Sequence, residues 1–121
     1  MNSWYLWVFV GAWFAFFLFR KMRSGISGEK VQALLRQGAV LLDVRGKNEF
    51  TEGHLPDAVN LPLNQLSEKA GEIIPNRETA VLCYCLSGTR SGIAVGQLRR
   101  MGYANAFNLG SYSHAMKTVK K

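Results

Sequence analysis

The chain has 121 residues, with 15 Lys+Arg against 8 Asp+Glu, a formal net charge of +7 and 48% hydrophobic residues. That length accommodates one ordinary domain of roughly 100–150 residues and excludes two. The apolar fraction excludes a disordered chain, and two cysteines are too few for a disulfide-stapled secreted mini-protein.

From Ser3 to Phe19 run 17 uncharged residues, all apolar except Ser3 and Gly11, and Arg20, Lys21 and Arg23 follow at once. Every acidic residue lies at Glu29 or later, so residues 1–23 read as a unit separate from residues 24–121. As a helix, 17 to 19 residues cover roughly 25–29 Å, the short end of what crosses a bilayer of about 30 Å. One transmembrane helix, touching the lipid bilayer through residues 3–19, is therefore expected. Cations favour the cytoplasmic side, which puts the domain in the cytoplasm, Trp4, Tyr5 and Trp7 near the outer interface and Arg20, Lys21 and Arg23 against the inner headgroups. The alternative is a cleaved signal peptide with an exported domain. It wants a basic segment ahead of the apolar stretch and a small-x-small site after it, which only Ser24-Gly25 weakly approaches. A third reading, a buried core helix, has the lack of any polar face against it. Without the three flanking cations, 12 Lys+Arg face 8 acids in residues 24–121. No dense basic run interleaved with aromatics is present, so there is no nucleic-acid signature. Lys117, Lys120 and Lys121 read as a solvated end.

Ser27 is placed to cap a helix carrying Val31, Leu34 and Leu35 on one face and closed by Gly38. Ala39 to Val44 is a continuous apolar run of the kind that forms a strand buried on both faces, and Ala58 to Leu61 is another. A helical segment from about Asn64 to Ile74 stops at Pro75. Thr79 to Tyr84 is the strongest strand pattern, Ser91 to Met101 reads as a helix ending at Gly102, and Ala104 to Leu109 as the last strand. Short buried strands alternating with helices predict an α/β fold with a mostly parallel sheet, and such sheets bind ligands at the carboxyl ends of their strands.

The strand ending at Tyr84 runs into Cys85-Leu86-Ser87-Gly88-Thr89-Arg90-Ser91, which opens a helix. Free N–H groups and partial positive charge at a helix N-terminus stabilise an anion, so a cysteine there is expected to have a lowered pKa and to act as a nucleophile at neutral pH. Gly88 permits a tight turn, Ser87 and Thr89 leave their amides free, and Arg90 supplies a planar cation suited to oxyanions.

The loop Cys85 to Ser91 resembles the Cys-x-x-Gly-x-Arg-Ser pattern of the rhodanese-like sulfurtransferases. Upstream, Leu42-Asp43-Val44-Arg45, Glu49-Phe50, Gly53-His54-Leu55-Pro56 and Ala58-Val59-Asn60-Leu61-Pro62 match the same family in order and spacing. Gly102-Tyr103 with Asn108-Leu109-Gly110 is a weaker third match. The resemblance implies a rhodanese-like fold over residues 24–121 and a sulfurtransferase of the thiosulfate:cyanide type. In such an enzyme Cys85 takes a sulfane sulfur from a small donor as a persulfide and passes it to cyanide or a thiol, with no metal or organic cofactor. The amides of Leu86, Ser87, Gly88, Thr89, Arg90 and Ser91 would hold the sulfur or a departing oxyanion, and Arg90 would also fix the loop and attract anionic donors. Related phosphatases and arsenate reductases use Cys-x5-Arg. Here the spacing is Cys-x4-Arg, a six-residue ring suited to a sulfur atom, and no aspartate in the loop offers a general acid.

Three positions depart from the family pattern. Leu86 stands where a basic or polar residue is frequent, which lowers the positive potential expected at the pocket mouth and disfavours thiosulfate. Asp57 stands where glycine is usual, and Gly110 to Met116 replaces a Gly-Gly-x-x-x-Trp segment, so the terminal helix is expected to be shifted or shorter. Cys83, two residues before Cys85, reads as a buried strand residue rather than a thiol that resolves a persulfide into a disulfide. His54 reads as a turn tether rather than a general base, and Asp43, Arg45 and Glu49 as a brace around the loop. His114 reads as merely exposed. Two functions stay open: a membrane-tethered sulfurtransferase, and a sulfur-carrying or regulatory module without multiple turnover.

Overall fold

The computed structural model describes residues 4–23 and 25–120, with side chains described for 7–16 and 25–120. Helix α1 (Trp4–Arg23) comes first. Among the described residues no helix is long and apolar enough to cross a membrane, so the transmembrane helix expected over residues 3–19 is not supported. The physical reason is length. α1 takes in Arg20, Lys21 and Arg23, and the apolar run left between Trp4 and Phe19 rises only about 24 Å against a hydrocarbon core of about 30 Å. Ser3, Ser24 and Lys121, and the side chains of Trp4, Tyr5, Arg20, Lys21 and Arg23, lie outside the described residues.

Helix α2 (Gly28–Arg36) begins where expected, because the Ser27 hydroxyl accepts the Lys30 N–H at 3.2 Å. Its one fully buried side chain is Val31, and Gly38 follows it at φ +94°. Then come β1 (Val40–Asp43), α3 (Lys47–Glu52), β2 (Val59–Asn60), a single 3-10 turn (Leu63–Gln65) and α4 (Leu66–Ile73). The chain closes with β3 (Val81–Cys85), α5 (Thr89–Arg100), β4 (Ala106–Ser111) and α6 (Tyr112–Lys120). The four strands form one parallel sheet in the order β2-β1-β3-β4, which is the α/β architecture expected.

The sheet is covered on both faces. Leu42, Cys83 and Cys85 point into a cluster with Leu66 and Ala70 of α4, Ile74 just beyond it, and Ala94, Val95 and Leu98 of α5. Leu41, Leu82, Tyr84 and Leu109 point the other way, onto Val31 and Ala115 of α2 and α6. The period of two explains why β3 is buried at all five positions and reads as an unbroken apolar run.

Four local features differ from the sequence expectations. The helix expected from Asn64 starts as a 3-10 turn, and regular α4 begins only at Leu66. α5 starts at Thr89 rather than Ser91, since Gly88 in the left-handed region (φ +97°) turns the chain directly into it. α3 was not anticipated; none of its residues is buried, so it carries no apolar periodicity. The C-terminal run that reads as a solvated end is helix α6. Lys117 and Lys120 are exposed on it, but Ala115 and Thr118 are buried and the Gln32 side-chain amide donates to the Thr118 carbonyl at 3.0 Å. Asp57, standing where the family has glycine, adopts φ +66°, the backbone region for which glycine would be the unstrained choice.

The β3–β4 register slips between Cys83 and Tyr84, whose partners are Asn108 and Gly110. β4 thus carries one extra residue beside the end of β3, and a bulge of this kind re-aims side chains next to it.

Candidate active site

β3 ends at Cys85 and α5 begins at Thr89, so three residues, Leu86, Ser87 and Gly88, make the whole turn from sheet to helix. The turn folds back over Cys85. The N–H of Gly88 points at Sγ at 3.0 Å and that of Ser91 at 3.4 Å, with the Ser91 hydroxyl at 3.5 Å. Burial by itself would push the Cys85 thiol up. It is outweighed by the hydrogen bonds that Ser91, Gly88 and Ser87 direct at the sulfur, which hold the thiol below its ordinary value. Cys83, two residues back on the same sheet face, has only burial acting on it and is pushed up to about 12. The loop therefore favours the charged form of Cys85, while Cys83 is a core side chain, as its strand position suggested.

The turn is stitched to the end of β4. Ser87 bridges to Ser111 in antiparallel fashion, and the Tyr112 N–H donates to the Leu86 carbonyl at 3.3 Å. Gly88 lies so close to β4 that a Cβ there would stand 3.3 Å from the backbone carbons of Gly110. With φ at +97°, both conformation and space demand glycine.

Arg90 does not face an open anion site. Its guanidinium is engaged by Glu49 in a two-pronged pair, Nη1 to Oε1 at 2.7 Å and Nη2 to Oε2 at 3.1 Å. Glu49 Oε1 also accepts the Gly46 N–H at 3.1 Å. The Arg90 hydrogen bonds, then the Gly46 bond, lower the Glu49 carboxyl to about 2. The pair locks α5's first turn to α3 and neutralises the one cation of the loop. The pair ties the loop to α3, and an anion approaching Arg90 meets a guanidinium already shared with Glu49.

Asp43 and Arg45 form a second, buried pair. Arg45 Nη2 lies 2.8 Å from Asp43 Oδ2, and Asp43 is fully buried. Arg45 also donates to the Gly53 carbonyl at 2.6 Å and stacks near Tyr112, 4.8 Å from the ring centroid. The hydroxyl of the neighbouring Tyr84 accepts the Leu55 N–H at 3.1 Å. Residues 53–55 are thereby held against the carboxyl ends of β1 and β3. His54 stacks on Phe50 at 3.6 Å between centroids, with Nδ1 2.8 Å from the Phe50 carbonyl. It tethers this turn, as read from sequence. Leu86 is 60% exposed at the mouth of the loop, and Thr89 opens α5.

The structure thus gathers Cys85, Ser87, Gly88 and Ser91 around one sulfur, keeps Glu49 with Arg90 on the rim, and sets Asp43, Arg45 and His54 beside it as scaffold. A residue given no role from sequence also belongs here. Asn108 of β4 contacts both Ser91 and Gly88; its only signal was its place in the weak third family match.

A family model for the rhodanese-like domain matches residues 27–115. The chain belongs to the rhodanese-like domain family. Among curated relatives, the uncharacterised protein YqhL of Bacillus subtilis is 37% identical over 90 residues, 74% of this chain and 69% of that protein. Thiosulfate sulfurtransferase PspE of Escherichia coli is 34% identical over 80 residues, 65% of this chain and 77% of that one. A solved rhodanese with anions from E. coli superposes with a TM-score of 0.62 at 30% identity, covering 64% of this chain and 91% of that one. The human single-domain sulfurtransferase TSTD1 gives 0.64 at 27% identity, covering 77% and 95%. This rhodanese-like domain is a member of the sulfurtransferase family.

Proposed function

We propose that the protein is a sulfurtransferase in which Cys85 carries the sulfur. The observation that supports this best is the loop itself: a buried sulfur at the carboxyl end of a parallel strand, with the N–H of Gly88 at 3.0 Å and that of Ser91 at 3.4 Å aimed at it. The Cys85 thiolate attacks the outer, sulfane sulfur of a donor such as thiosulfate; an S–S bond forms, the donor's S–S bond breaks, and sulfite leaves with the electron pair. Cyanide or a thiolate then attacks the outer sulfur of the persulfide, and Cys85 returns as thiolate. The amides of Ser87, Gly88 and Ser91 hold the charge that alternates between the inner and outer sulfur. Residues 24–121 are the catalytic unit.

The test is mass spectrometry after incubation with thiosulfate, followed by cyanide. We expect one added sulfur, on Cys85, removed by cyanide with turnover. Cys85→Ser should abolish the gain and Cys83→Ser should spare it; equal loss in both would sink the single-cysteine mechanism. A second reading, a sulfur carrier without multiple turnover, is favoured by exposed Leu86 and by the Glu49–Arg90 pair, which leave little positive field for a dianionic donor. It predicts sulfur uptake from a persulfide donor and none from thiosulfate.

We also propose that α1 attaches the domain to the cytoplasmic side of a lipid surface. Support comes from Trp7, Val8, Phe9, Val10 and Phe14, each at least 56% exposed, and from the cations Arg20, Lys21 and Arg23 that follow them. The full chain should float with vesicles containing anionic lipid, and an impermeant thiol reagent should leave Cys85 unmodified in intact cells. Failure to float, or labelling from outside, would overturn the attachment or the sidedness.

A further inference from the structure

The Ser91 hydroxyl has three acceptors within reach and one proton. It lies 2.7 Å from Asn108 Oδ1, 3.1 Å from the Gly88 carbonyl and 3.5 Å from Cys85 Sγ. Which acceptor receives the proton depends on the orientation of the Asn108 amide, and two backbone groups fix that orientation. The Gly110 N–H donates to Oδ1 at 2.8 Å, and Nδ2 donates to the Gly88 carbonyl at 3.2 Å. A flipped amide would set an NH2 group against the Gly110 N–H and a carbonyl against a carbonyl, losing both bonds. Asn108 therefore presents an acceptor to Ser91, and at 2.7 Å it is the nearest of the three. The bulge in β4 is what puts it there: Asn108 pairs with Cys83, on the sheet face that also carries Cys85, and the extra residue before Gly110 closes around its side chain.

We propose that Asn108 is a positioning residue for the Cys85 nucleophile, holding the Ser91 hydroxyl proton away from the sulfur and the Gly88 carbonyl in place. The thiolate is then met by backbone N–H groups alone. This matters for a sulfur that must attack as well as ionise, because each donor on a thiolate lowers its pKa and, with it, its nucleophilicity. Asn108 keeps the hydroxyl from overstabilising the anion. The inference rests on the reading of Cys85 as nucleophile, and it extends that reading to the strand beside the loop.

The experiment is the pH dependence of Cys85 alkylation by iodoacetamide in the full chain, between pH 5 and 10, where Cys83 with its thiol at about 12 stays silent. It needs no sulfur donor, so it can fail while sulfur transfer succeeds, and the reverse. In Asn108→Ala the hydroxyl loses its nearest acceptor, and of the two that remain, the Gly88 carbonyl at 3.1 Å and Sγ at 3.5 Å, the thiolate is the charged one and draws the proton as it forms. The midpoint should fall by about half to one pH unit, and the plateau rate at high pH should drop about two- to threefold. Ser91→Ala in the otherwise natural chain should leave the midpoint in place, and Asn108→Ala/Ser91→Ala together should restore it. Asn108→Asp, which keeps an acceptor facing Ser91 and Gly110, should not lower it. An unchanged or raised midpoint in Asn108→Ala, or a lowered one that persists in the double variant, would overturn the proposal. So would a midpoint raised by half a unit or more in Ser91→Ala alone, which decides the matter even if Asn108→Ala does not fold.

Discussion

Replacing Gly88 by alanine tests the loop geometry with a cost that can be worked out in parts. Alanine at φ +97° costs about 1–2 kcal/mol for its backbone conformation. The added Cβ stands 3.3 Å from the backbone carbons of Gly110, which cannot swing aside as a side chain would; such overpacking adds about 1–3 kcal/mol. Alanine also stiffens the unfolded chain, which returns about 0.4–1 kcal/mol. The net loss is about 1–4.5 kcal/mol, and with a urea slope of about 2 kcal/mol per M the unfolding midpoint should fall by about 0.5–2 M. Gly110→Ala is the matched control. Its φ is +90°, but its Cβ would meet only the His114 ring edge at 3.7 Å, so the conformational part remains, about 1–2 kcal/mol less the same return of about 0.4–1, and the packing part vanishes. Urea unfolding of the two variants side by side isolates the close approach. If Gly88→Ala costs no more than Gly110→Ala, the contact between loop and β4 is not tight and the reasoning fails.

Two further outcomes follow from the ion pairs. Because Arg90 depresses the Glu49 carboxyl from its ordinary 4.5 to about 2, the pair stabilises the fold fully above about pH 4.5 and loses that contribution as pH falls toward 2. Both side chains are more than a third exposed, so Glu49→Gln should cost no more than about 1 kcal/mol at pH 7 and flatten this part of the acid-unfolding profile; a pH dependence identical to the parent's would refute the assignment. Asp43→Asn leaves the Arg45 guanidinium buried without its counter-charge and should cost about 3–5 kcal/mol, with proteolysis opening first at residues 53–55; a loss under 1 kcal/mol in denaturant would contradict the bracing role.

The elements legible in the sequence are those that bury apolar side chains at a regular period. β1 and β3 are unbroken apolar runs because helices cover both of their faces, and α2 and α5 show their inward stripes. The loop was legible because its chemistry is local: nucleophile, glycine and helix start fall within seven consecutive residues. α3 escaped because it buries nothing; a terminal helix was expected, but its reach to Lys120 was not legible because its buried side chains, Ala115 and Thr118, are small or polar. The engagement of Arg90 by Glu49, 41 positions away, and of Ser91 by Asn108, 17 positions away, depends on how α3 and β4 pack beside α5. No local pattern encodes that. For α1 the count of uncharged residues suggested a span, while the helix runs on through Arg20, Lys21 and Arg23 and its apolar part is short.

The stitching of the loop to β4 also bears on when reactivity appears in the life of the chain. Cys85 is made well before Asn108, Ser111 and Tyr112, and parallel pairing of β3 with β4 requires the whole of α5 to cross over first. Such non-local pairings close late in folding. The donors that face Cys85 come from its own loop and the first turn of α5, whereas the bonds that hold Ser91 and the Gly88 carbonyl in place come from β4, so the final setting of the nucleophile is timed by completion of the sheet.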